Sequence, residues 1–173
     1  PAPTETHPGT RRRYVPGEDP MAKGTGRFDF YGRPDGRAVV YLEHQQPSSD
    51  LVSEAYPLTL VTGRVYEHWH TMTLTGKLKA LEGITTDFLL IHPRDAHRYG
   101  IHDGEPVLVE SRRGRAVLRA KISNELMPGI VFAPFHSPEA LVNRVVNDAV
   151  DPISKEPAFK ESAVRIRPAS SAA

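Results

Sequence analysis

After Tyr56 the apolar residues fall into short blocks, each closed by turn chemistry. "YPLTLVTGR" is a strand-length run that ends on Gly63, and "FLLIHP" opens a second buried run at Phe88. "PRDAHRYG" reads as a short helix, with Pro93 in its first turn and Gly100 just past its end. "IHDGEPVLVESRRGRAVLRAKIS" reads as turn, strand, turn, strand, the turns being Asp103-Gly104 and Arg113-Gly114. "MPGIVFAPF" adds a turn and a further buried strand. "SPEALVNRVV" has helical spacing, with Ser137 as N-cap, Pro138 at the first helical position, and Leu141, Val142 and Val145 on one face. "DPISKEPAFKESAVRIRP" closes with loop and strand. Roughly six short strands with two or three short helices predict a mainly β fold, a barrel rather than a doubly wound sheet.

Ahead of Tyr56 the pattern changes. Residues 1–26 are rich in Pro, Gly, Thr and Arg without an apolar period, and read as an extended arm. "RFDFYGRPDGRAVVYLEH" alternates around turn residues and makes "AVVYL" a strand; "QQPSSDLVSEAYP" reads as a linker. The expected organisation is an arm and lead-in segment over 1–55, a barrel over 56–168, and a frayed tail, "ASSAA", over 169–173. No repeat of solenoid period is present.

Composition narrows the chemistry. The chain has 173 residues, 39% hydrophobic and 25% charged, with a formal net charge of +1. That balance offers no argument for a nucleic-acid surface, and no apolar run is long enough to span a membrane. Cysteine is absent, so disulfides, cysteine-ligated metals, iron–sulfur clusters and thiolate nucleophiles cannot come from this chain. The sequence starts at Pro1 without an initiator methionine, which suggests a processed chain or a piece of a longer one.

One stretch concentrates chemistry: "TGRVYEHWHTMTLTG", Thr62 to Gly76, holds two histidines and the only tryptophan. On a strand, His68 and His70 would face the same way and could share a metal. A cupin-type barrel uses such a pair with a glutamate about four residues later, but "TMTLTG" has no carboxylate and Glu67 lies on the wrong side. Two histidines are one ligand short of a catalytic zinc site. A plainer reading makes Trp69 core and the histidines loop residues bonded to backbone. A third makes the stretch a cradle for a phosphorylated heterocycle. Gly63 would allow close backbone approach, Thr62, Thr71, Thr73 and Thr75 offer hydroxyls, Arg64 offers a planar fork, and His68, Trp69 and His70 offer ring faces.

Four blocks, "YPLTLVTGRVYEHWHTMTLTG", "IHPRDAHRYGIHDGEPVLVESRRG", "MPGIVFAPF" and "NDAVDPISKEPAFKESAVRI", resemble in order and spacing the C-terminal domain of molybdopterin-guanine-dinucleotide oxidoreductases. Within that family the chain looks most like the catalytic subunit of bacterial nitrate reductases. "RRRYVPGEDPMAKG" and "RFDFYGRPDGRAVVY" resemble the segment preceding that domain in the periplasmic type. Formate dehydrogenases share the domain but less of the leading segment. The resemblance runs from about Arg11 to Pro168 and implies a double-psi β-barrel that closes over two molybdopterin guanine dinucleotides and their molybdenum. It implies cofactor contacts from Thr62, Gly63, Arg64, Val65, Tyr66, Glu67, His68, Trp69, His70 and Thr71, and from Phe135, Asn143 and Lys160. Arg64 and Lys160 would meet phosphate, Asn143 a pterin or guanine edge, and Phe135 would form a ring wall. Read without the resemblance, Phe135 is core, Asn143 is a helix-surface residue and Lys160 is solvated.

The same resemblance leaves no catalytic or metal-binding residue in this chain. The iron–sulfur cluster and the molybdenum ligand would lie elsewhere, in the remainder of the catalytic subunit, either the same longer chain or a separate subunit with which this one assembles as a split subunit. That remainder is the expected partner along with an electron-donor protein. Alone, the chain is expected to be inactive. The implied compartment is the periplasm, or the cytoplasm for an assimilatory enzyme. Two departures stand out. Where the family often has "HTG" this chain has "HTM", placing Met72 at the glycine, and the family's late "KKC" is "KES". The alternatives are a stand-alone cupin-like metal barrel and the same domain from a formate dehydrogenase.

Overall fold

Alternation of buried and open positions turns the short apolar blocks into the staves of a barrel. The computed structural model describes residues 40–42, 44 and 47–172. Its strands are β1 (Leu58–Gly63), β2 (Phe88–Ile91), β3 (Pro106–Ser111), β4 (Arg115–Ile122), β5 (Ile130–Pro134) and β6 (Glu161–Pro168), with one α-helix among the described residues, α1 (Pro93–Tyr99). In β4 the residues Ala116, Leu118 and Ala120 are buried while Arg115, Val117, Arg119 and Lys121 are exposed. The period of two therefore sends one set of side chains into the barrel and the other outward. Leu58 and Leu60, Leu89 and Ile91, Val107 and Val109, Val131, and Val164 and Ile166 complete the interior. Each such side chain contributes about 1.5–3 kcal/mol on burial.

The closed order is β1-β5-β2-β4-β3-β6, returning to β1. β1 with β5 and β2 with β4 are parallel; the other four pairings are antiparallel. This closed, mixed six-stranded barrel agrees with the expected fold class. Among these strands only β3 and β4 form a hairpin between consecutive elements, so the rest of the closure joins segments distant in sequence. The register has a direct consequence for function. Val61 sits opposite Phe132 on parallel β5 and opposite Glu161 on antiparallel β6. The ends of β1 and β5 and the start of β6 thus arrive at one rim.

Helix α1 follows its sequence signals. His92 Nδ1 accepts from the Arg94 N–H, Pro93 occupies the first turn, and Gly100 ends the helix at φ 63, a left-handed position that costs glycine little. The helix expected over "SPEALVNRVV" does not form. Ser137 Oγ accepts the Ala140 N–H and the Ser137 carbonyl accepts from Leu141. Leu141 then turns left-handed at φ 46, leaving only a 3-10 turn over Val142–Arg144. Helix propagation this short is marginal in water. Packing decides instead: Val142 and Val145 enter the core, and the Asn147 N–H docks on Ser162 Oγ of β6.

Asp50 staples the approach to the barrel. Its buried carboxylate receives Arg112 at 2.6 Å and Arg113 at 2.7 Å, together with the Ala163 N–H at 3.0 Å. The run "AVVYL" carries no strand over its described residues Val40, Tyr41 and Leu42, and the earlier arm lies outside the described residues. Ala169–Ala172 form a 3-10 turn where a frayed end was expected. Among the described residues no helix is long and apolar enough to cross a membrane.

Candidate functional site

Between Gly63 and Phe88 the chain leaves the barrel and makes no strand, only turns and two 3-10 turns, Thr75–Lys77 and Lys79–Leu81. This excursion carries "RVYEHWHT" and stands on the rim where β1, β5 and β6 meet.

The barrel supplies the rigid part of the site. Thr62 is buried, and its hydroxyl donates to the Phe159 carbonyl at 3.1 Å. Lys160 Nζ donates to the Thr62 carbonyl at 3.3 Å and lies over the rings of Phe159, at 5.1 Å, and Phe135, at 5.8 Å. The Phe135 N–H donates to the Gly63 carbonyl at 3.1 Å. Four of the residues singled out in the sequence, Thr62, Gly63, Phe135 and Lys160, are therefore joined directly. Gly63 serves packing as well: a Cβ there would meet Phe132 Cε2 at 2.6 Å.

The loop supplies the rest. Arg64 lies over the Trp69 ring at 5.2 Å, and Trp69 meets His70 edge to face at 4.5 Å. Tyr66, Trp69 and His70 are exposed, as is Glu67. His68 is buried; its Nδ1 bonds with Thr75 Oγ1, which also accepts the Trp69 N–H. The i, i+2 histidines thus diverge, one inward and one outward, because they stand in turns and not on a strand. A shared metal between them loses its geometric basis. Among the described residues no group of three or more His, Cys, Asp or Glu side chains converges as a metal site.

The hydroxyls of Thr62 and Thr75 are engaged in holding the rim and the loop, so the polar groups still open to a ligand are others. Among the described residues neither Arg64 nor Lys160 has a carboxylate partner. Two cations on one rim that have no carboxylate partner among the described residues suit a phosphorylated ligand. Thr71 and Phe135 line one cleft of about 510 Å³, alongside Met72 and His136. Val65, Tyr66 and Glu67 line another of about 730 Å³, alongside Phe88, Arg119 and Lys121. Asn143 is exposed on the 3-10 turn, and among the described residues no hydrogen bond joins it to the loop.

His136 is the participant that motif spacing did not reveal. It is buried, its Nδ1 meets the His70 carbonyl at 3.1 Å, and its ring lies edge to face with His68 at 5.7 Å. Burial pushes its pKa below the ordinary histidine value, and His68 adds to the effect, while the bond to His70 works the other way. The neutral imidazole is the favoured form. The pairing spans 66 positions, beyond the reach of any local pattern.

Residues 58–163 match the family described as the Molydopterin dinucleotide binding domain. The sequence is 44% identical over 172 residues to a periplasmic nitrate reductase of Desulfovibrio desulfuricans (strain ATCC 27774 / DSM 6949 / MB), covering 98% of this chain and 23% of that protein. It is 40% identical over 166 residues to a nitrate reductase of Symbiobacterium thermophilum (strain DSM 24528 / JCM 14929 / IAM 14863 / T), covering 93% of this chain and 22% of that protein. The chain thus spans less than a quarter of the length of these relatives. The fold superposes on acetylene hydratase from Pelobacter acetylenicus with a TM-score of 0.58, covering 71% of this chain and 21% of that one at 19% identity, a likeness of fold alone.

Proposed function

This chain belongs to the molybdopterin dinucleotide-binding domain family, and we propose that it clamps two molybdopterin guanine dinucleotides in a molybdenum-dependent nitrate reductase. The observation that carries the proposal is the rim itself, where Arg64 and Lys160 stand without carboxylate partners among the described residues, beside Thr62, Gly63 and Phe135. That donor set fits a diphosphate linked to flat heterocycles. Fixed backbone from β1, β5 and β6 holds the cations, and exposed rings at Tyr66, Trp69 and His70 offer stacking faces.

In this reading Arg64 and Lys160 bind phosphate oxygens, Phe135 walls a ring, and Val65 to Thr71 follow the cofactor's surface. Asn143 offers both donor and acceptor to a base or pterin edge. His68 shapes the loop from within, since it is buried. When bound, the molybdenum cofactor supplies oxygen-atom and electron transfer; the protein binds, orients and excludes water. Nitrate would give nitrite and water, consuming two protons and two electrons from a donor protein. The relatives named above, both nitrate reductases, support this substrate, and the Desulfovibrio protein supports a periplasmic setting. The remainder of the catalytic subunit is the natural partner, and the iron–sulfur cluster and molybdenum ligand belong there.

The test uses the intact enzyme that carries this domain, assayed for molybdenum and for guanine nucleotide released on hydrolysis. Each charge-assisted bond to phosphate contributes about 1.5–3 kcal/mol, so its loss weakens binding by roughly tenfold or more. The double variant Arg64→Ala, Lys160→Ala is expected to purify with clearly reduced molybdenum and guanine content. Full content in a folded double variant would overturn the assignment.

A further inference from the structure

We infer that His136 is a positioning residue for the loop, holding through the His70 carbonyl the left-handed turn that presents Trp69 to Thr71. The inference rests on the proposed function for what the turn presents, but the contact stands independently of it.

The turn needs holding. His70 lies at φ 44 and Met72 at φ 63, and a side chain in that region costs about 1–2 kcal/mol per residue. Two such residues so close together persist only where their surroundings over-determine them. The Met72 N–H donates to the Trp69 carbonyl at 3.0 Å, and the Gly76 N–H to the Met72 carbonyl at 2.8 Å. These bonds lie within the loop. The tie from His70 to the barrel is His136, which follows the end of β5 and is next to Phe135, itself bonded to Gly63.

The chemistry of that tie is determinate. A carbonyl oxygen only accepts, so His136 Nδ1 carries the proton and, in the neutral ring, Nε2 is bare. Nε2 is buried and has no hydrogen-bond partner among the described residues, as is also true of His68 Nε2. A second proton on His136 would meet no acceptor among the described residues, so these surroundings favour the neutral tautomer that donates to His70. His68 backs this arrangement from below, since Thr75 Oγ1 links its ring to the Trp69 N–H.

A purely space-filling histidine makes a different prediction. Phenylalanine in its place keeps a ring of similar size but cannot donate. Asparagine loses the ring but offers an N–H at about the reach of Nδ1. Donation therefore ranks asparagine above phenylalanine, and packing ranks them the other way.

Trp69, the only tryptophan of the chain, reports the turn in this 173-residue chain through its emission and near-ultraviolet circular dichroism. The wild-type protein and the His136→Asn variant are expected to give matching Trp69 signals. His136→Phe is expected to shift them and to speed amide exchange at Met72 and Gly76 by roughly tenfold, the loss of about one hydrogen bond. A wild-type signal from His136→Phe, or a His136→Asn signal displaced as far as that of His136→Phe, overturns the inference. Should a variant fail to fold, nitrogen-labelled histidine NMR of the wild-type chain decides: the Nδ1–H tautomer at His136 upholds it and the Nε2–H tautomer sinks it. The same variants in the intact enzyme separate the two readings. A displaced Trp69 with full guanine and molybdenum content keeps the positioning contact and counts against the loop as a cofactor wall.

Discussion

Met72 shows how a single residue can work against its backbone. Where the family it resembles often has glycine, the chain carries a methionine, at φ 63, in the left-handed region that glycine favours. The side chain recovers part of the cost by packing on Gly76, whose own Cβ, if present, would sit 3.3 Å from Met72 Cβ. Met72→Gly should relieve the strain, about 1–2 kcal/mol, less what the freed unfolded chain regains in entropy, up to about 1 kcal/mol. The expected outcome is slower amide exchange at Gly76, whose N–H is bonded to the Met72 carbonyl, with little change in overall melting. Faster exchange would mean that side-chain packing outweighs backbone strain. The departure from "HTG" was visible in the sequence; that Met72 stands at a left-handed φ was not.

At the scale of elements, β1 and β5 show why a glycine can be read in two ways. "VTG" suggested close approach to a ligand, yet the absent Cβ of Gly63 makes room for the Phe132 ring on the paired strand. Gly63→Ala is expected to destabilise the fold by about 1–3 kcal/mol, as overpacking does, lowering Tm by roughly 2–4 °C per kcal/mol. Adding Phe132→Leu should recover most of that loss. If Gly63→Ala melts like wild type, packing is not what requires glycine there. Segment 137–147 teaches the complementary lesson. Its N-cap bond forms as the local code directs, but Leu141 at φ 46 turns the chain away before a helix can follow. The periodicity of Leu141, Val142 and Val145 correctly marked two core residues and missed the third, which is exposed. By contrast, β3, β4 and α1 form where their apolar runs, turns and caps predicted them, because those signals are contained within each segment.

For the whole molecule, pH tests how buried titratable groups hold distant parts together. Burial alone would raise the Asp50 pKa, but the bonds from Arg113 and Ala163 and the charges of Arg113 and Arg112 outweigh it and hold it below the usual value. His136 is also depressed, by burial first. In both cases the unfolded chain binds the proton more readily, so stability is full above the unfolded pKa and falls with acidification. Stability should begin to drop below the ordinary histidine value, about 6.5, and drop further below the ordinary aspartate value, about 3.9. Asp50→Asn should flatten the acidic part of a denaturant-midpoint-versus-pH profile and His136→Asn the part near neutrality; a variant that leaves its own part unchanged removes that group from the account. The outline of the molecule was legible in the chain: six apolar blocks, the turns between them, a capped helix, and four motif blocks that carry the family. Those features depend on local propensity and spacing, which a sequence displays directly. What tertiary structure alone decided is which residues meet. Lys160 reaches Thr62 across 98 positions, His136 reaches His70 across 66, and Asp50 reaches Ala163 across 113. Parallel pairing of β1 with β5 and antiparallel return of β6 bring these residues to one structure, and closure of a barrel is a long-range property that no window along the chain contains.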